Sequence, residues 1–94
     1  MRLKDLQTNH MSYKAKIFVS LKSSVSDPQG LAIEGSLNQL GFKSVANVRA
    51  GKFITLTIDH TDRSAAENEI SSMCDKLLAN PVIEDYEFEL VARD

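Results

Sequence analysis

The stretch that decides the fold is Val45-Ala-Asn-Val-Arg-Ala-Gly51-Lys52-Phe-Ile-Thr-Leu-Thr-Ile58. Apolar residues recur on both sides of Gly51, and glycine tolerates the positive φ of a tight connection, so the stretch reads as two strands, 44–49 and 53–58, folded into a hairpin. Each flank then supplies one further strand and one helix. Upstream, residues 14–22 alternate, with Ala15, Ile17, Val19 and Leu21 on one face and Lys14, Lys16, Phe18, Ser20 and Lys22 on the other. Asp27-Pro28 starts a helix running to about Leu40, with Asp27 as N-cap, Pro28 at the first helical position and Ile33, Leu37 and Leu40 as the apolar stripe. Gly41-Phe42 then fits a left-handed C-terminal cap. Downstream, Thr61 or Asp62 caps a second helix to about Ala79, with Ala66, Ile70, Met73, Cys74, Leu77 and Leu78 inward, and Asn80-Pro81 ends it. A last strand, 83–91, sets Tyr86, Phe88 and Leu90 against Asp85, Glu87 and Glu89.

The resulting order, βαββαβ, predicts an α+β fold of the ferredoxin-like kind: a four-stranded antiparallel sheet with both helices on one face. The opposite face then gathers Lys14, Lys16 and Phe18 beside Phe53, Thr55 and Thr57. It is more apolar than a monomer requires, so Phe18, Phe53, Thr55 and Thr57 are the expected interface of a homo-oligomer.

With 94 residues, 43% of them hydrophobic, the chain is sized for one domain. Residues 1–12 show no sustained period and read as a disordered lead-in, with either Met1 or Met11 as the natural start; 13–92 form the domain. Eleven basic and 13 acidic residues, interspersed, give a net charge of −2, the wrong sign for tracking phosphates or an anionic membrane. No apolar run is long enough to span a bilayer, and no signal-peptide pattern opens the chain, so the expected compartment is the cytoplasm. A single cysteine, Cys74, fits a reducing environment.

No residue pattern here points to catalysis. His10 and His60 fall in the lead-in and at a strand end, and Cys74 lies on an apolar stripe, where a thiol is structural. Cys-x-x-Cys, His-x-x-x-His and Gly-x-Gly-x-x-Gly are all absent, so no metal or dinucleotide site is expected. Glu84, Asp85, Glu87 and Glu89 read as solvation of an edge strand. Arg49 and Lys52 flank the Gly51 turn, as a solvated turn or as two cations for a phosphate or an acidic partner. Gly30, early in a helix that glycine disfavours, marks either close approach of another backbone or packing on a neighbouring strand. The βαββαβ plan is also used by single-stranded RNA binders and by small-molecule regulatory domains, and a free-standing binding domain of that kind is the alternative reading.

Taken as whole segments, the chain resembles the PurS family, the small subunit of phosphoribosylformylglycinamidine synthase in purine biosynthesis. The resemblance rests on the strand 14–22 followed by Asp27-Pro28-Gln29-Gly30, on Val48-Arg49 with Gly51-Lys52, and above all on Leu77-Leu78-Ala79-Asn80-Pro81-Val82-Ile83-Glu84-Asp85-Tyr86. It covers residues 13–92. It implies a non-catalytic assembly subunit of an ATP-dependent C–N ligase, a homodimer or homotetramer bridging a glutamine amidotransferase (PurQ) and the ATP-using synthetase (PurL), with a role in ammonia transfer. ATP and magnesium would then serve the complex, with no cofactor on this chain. The implied partner-contact residues are Asp27, Gln29 and Gly30 at the first helix start, Arg49, Gly51 and Lys52 around the turn, and Asn80, Pro81 and Glu84 at the second corner. The dozen residues ahead of the first strand depart from the family pattern.

Overall fold

The computed structural model describes residues 11–93. Three long strands form its frame: β1 (Met11–Leu21), β2 (Gly51–His60) and β3 (Glu84–Arg93). They make one antiparallel sheet in the order β2-β1-β3, with Ile17 opposite Ile54 on one side and Phe88 on the other. Two helices, α1 (Pro28–Gln39) and α2 (Arg63–Met73), lie between the strands in sequence. Met11 and Ser12 belong to β1, while 1–10, with most of the expected lead-in and His10, lie outside the described residues.

The central position of β1 explains its sequence. Tyr13, Ala15, Ile17 and Val19 are all buried, Ala15 and Ile17 completely. They meet Ile58 and Leu90 from the flanking strands and Ala66, Ile70 and Cys74 from the helical layer. Ala15 and Ala66, both fully buried, let that layer approach the central strand closely. On the other face Lys14, Lys16, Phe18 and Ser20 alternate outward, as the period of two requires.

Both helix starts are set by carboxylates. Gly30 N–H donates to Asp27 Oδ1 at 2.9 Å, and Ala65 N–H donates to Asp62 Oδ1 at 2.7 Å. The end of α1 is a Schellman motif: Gly41 has φ 103°, its N–H donates to the Asn38 carbonyl, and Phe42 N–H donates to Leu37.

Three expectations are corrected. The sheet has three strands, not four, because 44–49 pairs with nothing and the hairpin at Gly51 does not form. Asn47 takes φ 59°, which breaks the extended run. The donors of this segment also go to side chains instead of a ladder: Val48 N–H to Glu34 Oε1 at 3.1 Å and Ala50 N–H to Asp27 Oδ2 at 2.7 Å. Gly51 therefore opens β2, lying so close to the Val19 carbonyl that a Cβ would sit 2.7 Å from its oxygen.

Second, the helices do not share one face of the sheet. α2 packs on β1 and β2, whereas α1 buries only Gly30 and leaves Ile33 and Leu40 39% and 74% exposed. Third, the second helix does not keep α geometry to Ala79. After Met73 it widens into a π-helical turn, Cys74–Leu78, closed by Ala79 N–H donating to the Cys74 carbonyl at 3.0 Å. Bonding five residues apart stacks Cys74 with Ala79, both buried, and turns Leu77 outward to 82% exposure, away from its expected inward place.

Candidate functional site

The three clusters singled out by sequence, separated by up to 57 positions, converge at one end of the sheet. There β1 leaves and β2 and β3 begin. The first cluster docks on the second: Asp27 caps α1 through Gly30 and holds Ala50 with its other oxygen. The Val48 carbonyl passes so close over Gly30 that a Cβ there would lie 2.3 Å from its oxygen. Gly30 thus answers to backbone approach, the first of its two readings. Arg49 Nη2 donates to the carbonyls of Lys22 and Val25 at 3.0 and 2.8 Å, fastening the strap 44–50 to the loop after β1.

The second cluster reaches the third through charge. Lys52 Nζ stands 3.8 Å from Glu84 Oε2, and Glu84 Oε1 accepts the Asn80 N–H at 2.7 Å. Asn80 organises its own corner, with its side-chain oxygen accepting from Val82 and its carbonyl from Ile83 and Glu84. Lys22 N–H, donating to the Ile83 carbonyl at 2.8 Å, ties this corner to the end of β1. Gln29 and Pro81 are exposed at the rims of the two corners.

Asp27 is buried among amide donors, and these hold its carboxyl below the usual carboxylate range. The Gly30 N–H is the largest cause, then the Ala50 N–H, with Arg49 assisting against the cost of burial.

Beside the corner lies a cleft of about 380 Å³ lined by Lys22, Cys74, Asp75, Ala79, Pro81, Glu84, Asp85 and Tyr86. Lys22 Nζ pairs with Asp85 Oδ1 at 2.7 Å, and Tyr86 Oη donates to Asp75 Oδ1 at 3.1 Å. Burial pushes the Tyr86 phenol up, and the Asp75 hydrogen bond adds to it. Burial likewise pushes the Cys74 thiol up, with Asp75 contributing, so this sulfur is a poor nucleophile. Among the described residues no three His, Cys, Asp or Glu side chains gather to hold a metal.

Sequence reasoning missed Glu34, Asp75 and Lys22. Glu34 carried a signal, being the one charged residue of α1; for Asp75 and Lys22 the π turn and the loop geometry decide, and neither is written in periodicity. The open sheet face stands as expected. Phe18 and Phe53 face each other across β1 and β2, stacked with centroids 4.9 Å apart and 43% and 58% exposed, and Thr55 and Thr57 continue the face beside Lys16 and Lys14.

Comparison with known proteins matches residues 14–92 to the PurS model, described as phosphoribosylformylglycinamidine (FGAM) synthase. The phosphoribosylformylglycinamidine synthase subunit PurS of Bacillus subtilis is 49% identical over 78 residues, 83% of this chain and 92% of that one. The Synechocystis subunit of the same name is 48% identical over 81 residues, 86% of this chain and 81% of its own. Among solved structures, Bacillus subtilis PurS superposes with TM-score 0.77 at 48% identity, covering 84% of this chain and 98% of that one. A chain of PurLQS from Thermotoga maritima superposes with TM-score 0.79 at 34% identity, covering 85% and 98%. The motifs that meet at the sheet end all fall within the matched span, and the chain belongs to the PurS family.

Proposed function

We propose that this chain is a non-catalytic assembly subunit of phosphoribosylformylglycinamidine synthase, joining a PurQ-type glutamine amidotransferase to a PurL-type synthetase as a homo-oligomer. The observation that carries the reading is the likeness, over most of its length, to a chain of the Thermotoga maritima PurLQS structure. Two features of this chain support it. The cysteine is buried with its thiol pushed up, and the exposed Arg49, Lys52 and Asn80 gather at a hydrogen-bonded corner that suits a contact surface. ATP and magnesium then belong to the synthetase, and the corner around Arg49, Lys52 and Glu84 meets a partner. Ammonia transfer between the two partners is the further part of this role. The open face of Phe18, Phe53, Thr55 and Thr57 meets another copy of the chain.

The test is affinity purification of the tagged chain from its own cells with glutamine and Mg-ADP present, followed by mass spectrometry. Recovery of a class I amidotransferase with a large ATP-dependent synthetase is the expected result. Recovery of the chain alone, or with RNA, overturns the proposal in favour of a free-standing binding domain.

A further inference from the structure

The corner after α2 carries apolar side chains that the chain leaves bare. Ala66, Ile70 and Cys74 of the α2 stripe are fully buried, and a regular α turn would bring Leu77 next onto that stripe. The π turn puts Ala79 inward instead and leaves Leu77 outside. Past the corner Val82 is 78% exposed, and Pro81 between them is exposed as well. A π turn is rare and recurs at functional sites. Three apolar side chains bared around one such turn mark a surface for another molecule to cover.

The adjoining cleft sets the charge of that molecule. Its walls hold the carboxylates of Asp75, Glu84 and Asp85 and the single ammonium of Lys22. Lys22 Nζ is taken up by Asp85 at 2.7 Å, and Lys52 stands 3.8 Å from Glu84. Asp75 meets only the neutral Tyr86 hydroxyl among the described residues, so its charge is left uncompensated. The helix ends beside it at Leu78, and its carbonyl end adds to the same sign. With a volume of about 380 Å³ and an apolar wall of Ala79, Pro81 and the Tyr86 ring, the cleft suits a long side chain with an apolar stem and a cationic head. A second copy of this chain, with net charge −2 and an acidic β3, is a poor electrostatic complement.

We propose that this corner grips a segment of a synthase partner in which one Lys or Arg side chain is flanked by apolar residues. The cation enters the cleft and pairs with Asp75, its stem lies along Ala79 and Pro81, and the flanking residues cover Leu77 and Val82. The proposal rests on the reading of the chain as an assembly subunit and assigns to that role the chemistry of one contact. It gives Asp75, Leu77 and Val82 a part in recognition that is separate from that of Lys52.

The test titrates the full-length chain into its PurL-type and PurQ-type partners with glutamine and Mg-ADP present. Leu77→Asp is expected to raise the dissociation constant at least about tenfold, with Leu77→Ala intermediate and the melting temperature of both free variants held within a few degrees. Asp75→Asn keeps an oxygen for the Tyr86 hydroxyl and removes the charge. It should weaken assembly about fivefold or more at low salt, and the difference from the parent should shrink as salt is raised. A photo-crosslinking residue in place of Leu77 should join a partner segment that contains Lys or Arg. Crosslinking to another copy of this chain, or to a segment without a basic residue, overturns the proposal. Assembly of the parent with variants that bind as tightly overturns this proposal alone, whereas a parent that assembles with neither protein overturns the assembly reading and the proposal with it.

Discussion

Two glycines in one helix should respond to the same substitution with opposite signs. In an ordinary helix interior, Gly→Ala stabilises by roughly 0.5–1 kcal/mol through the unfolded chain's lost freedom. Gly35 meets that condition: nothing lies within 4 Å of a Cβ built there, and its position is opposite the stripe of Ile33, Leu37 and Leu40. Gly30 does not. Its Cβ would fall 2.3 Å from the Val48 carbonyl oxygen and 2.9 Å from Asp27 Oδ2. A relaxed carbon–oxygen contact is about 3.3 Å, so the strap must retreat by about 1 Å, and the Glu34–Val48 and Asp27–Ala50 bonds stretch with it. Overpacking of this kind costs about 1–3 kcal/mol, and more where backbone has to move. After the propensity gain, Gly30→Ala is expected to destabilise by about 1–2 kcal/mol. At about 4–8 °C per kcal/mol for a domain of this size, Gly30→Ala should melt several degrees below the parent and Gly35→Ala a few degrees above it. Thermal scans by circular dichroism at matched protein concentration make the comparison, because self-association makes Tm concentration-dependent. If both variants gain stability equally, the close approach of Val48 to α1 is not a feature of the protein.

Other predictions follow from the core and the buried titrating groups. Ile17→Ala, at a fully buried position of the central strand, should cost about 2–5 kcal/mol in urea denaturation; a loss under 1 kcal/mol would contradict the placement of β1. For Asp27 the folded-state pKa is depressed, so its contribution is fully present above the unfolded value near 3.9 and is lost as pH falls through the folded value. Asp27→Asn should therefore be less stable than the parent at pH 7 and show a flatter decline on acidification below about pH 4; parallel pH profiles would refute this. Cys74, buried with its thiol pushed up, should react with a disulfide reagent at pH 7.5 many-fold faster in denaturant than in the folded protein, and equal rates would place it at the surface.

Much of this architecture was legible because it follows local rules. Alternation placed β1 and its two faces, with Phe18 and Phe53 on the same open face, and short-range chemistry placed the Asp27 and Gly41 caps and narrowed the second helix start to Thr61 or Asp62, of which Asp62 is the cap. What the sequence hid depends on competition between partners. The residues 44–49 carry a plausible strand period, but Glu34 and Asp27, 14 and 23 residues from the amides they take, offer those amides acceptors that a ladder would otherwise supply. The stripe of α1 was visible, yet periodicity names a face and not what covers it. The π turn is equally silent: one extra residue per turn changes which of Leu77 and Ala79 is buried without altering composition. At the sheet end the individual motifs were readable, but their convergence required the register of β2 against β1 and of β3 against β1.

That convergence also decides which substitution can test partner contact cleanly. Arg49→Glu would remove donors to the Lys22 and Val25 carbonyls and free the strap, so any loss of synthase activity would mix folding with recognition. Lys52 differs: its side chain is 56% exposed and its one ion pair among the described residues, to Glu84, spans 3.8 Å, a surface pair worth about 0–1 kcal/mol. Lys52→Glu should leave Tm within a few degrees while placing a negative charge beside Glu84. If the corner meets an acidic or hydrogen-bond-accepting partner surface, glutamine-dependent turnover of the assembled synthase should fall at least about tenfold while ammonia-dependent turnover of the synthetase is largely kept. Unchanged glutamine-dependent turnover at unchanged Tm would remove Lys52 from the contact surface, and with it the argument that charge at this end of the sheet recognises a partner.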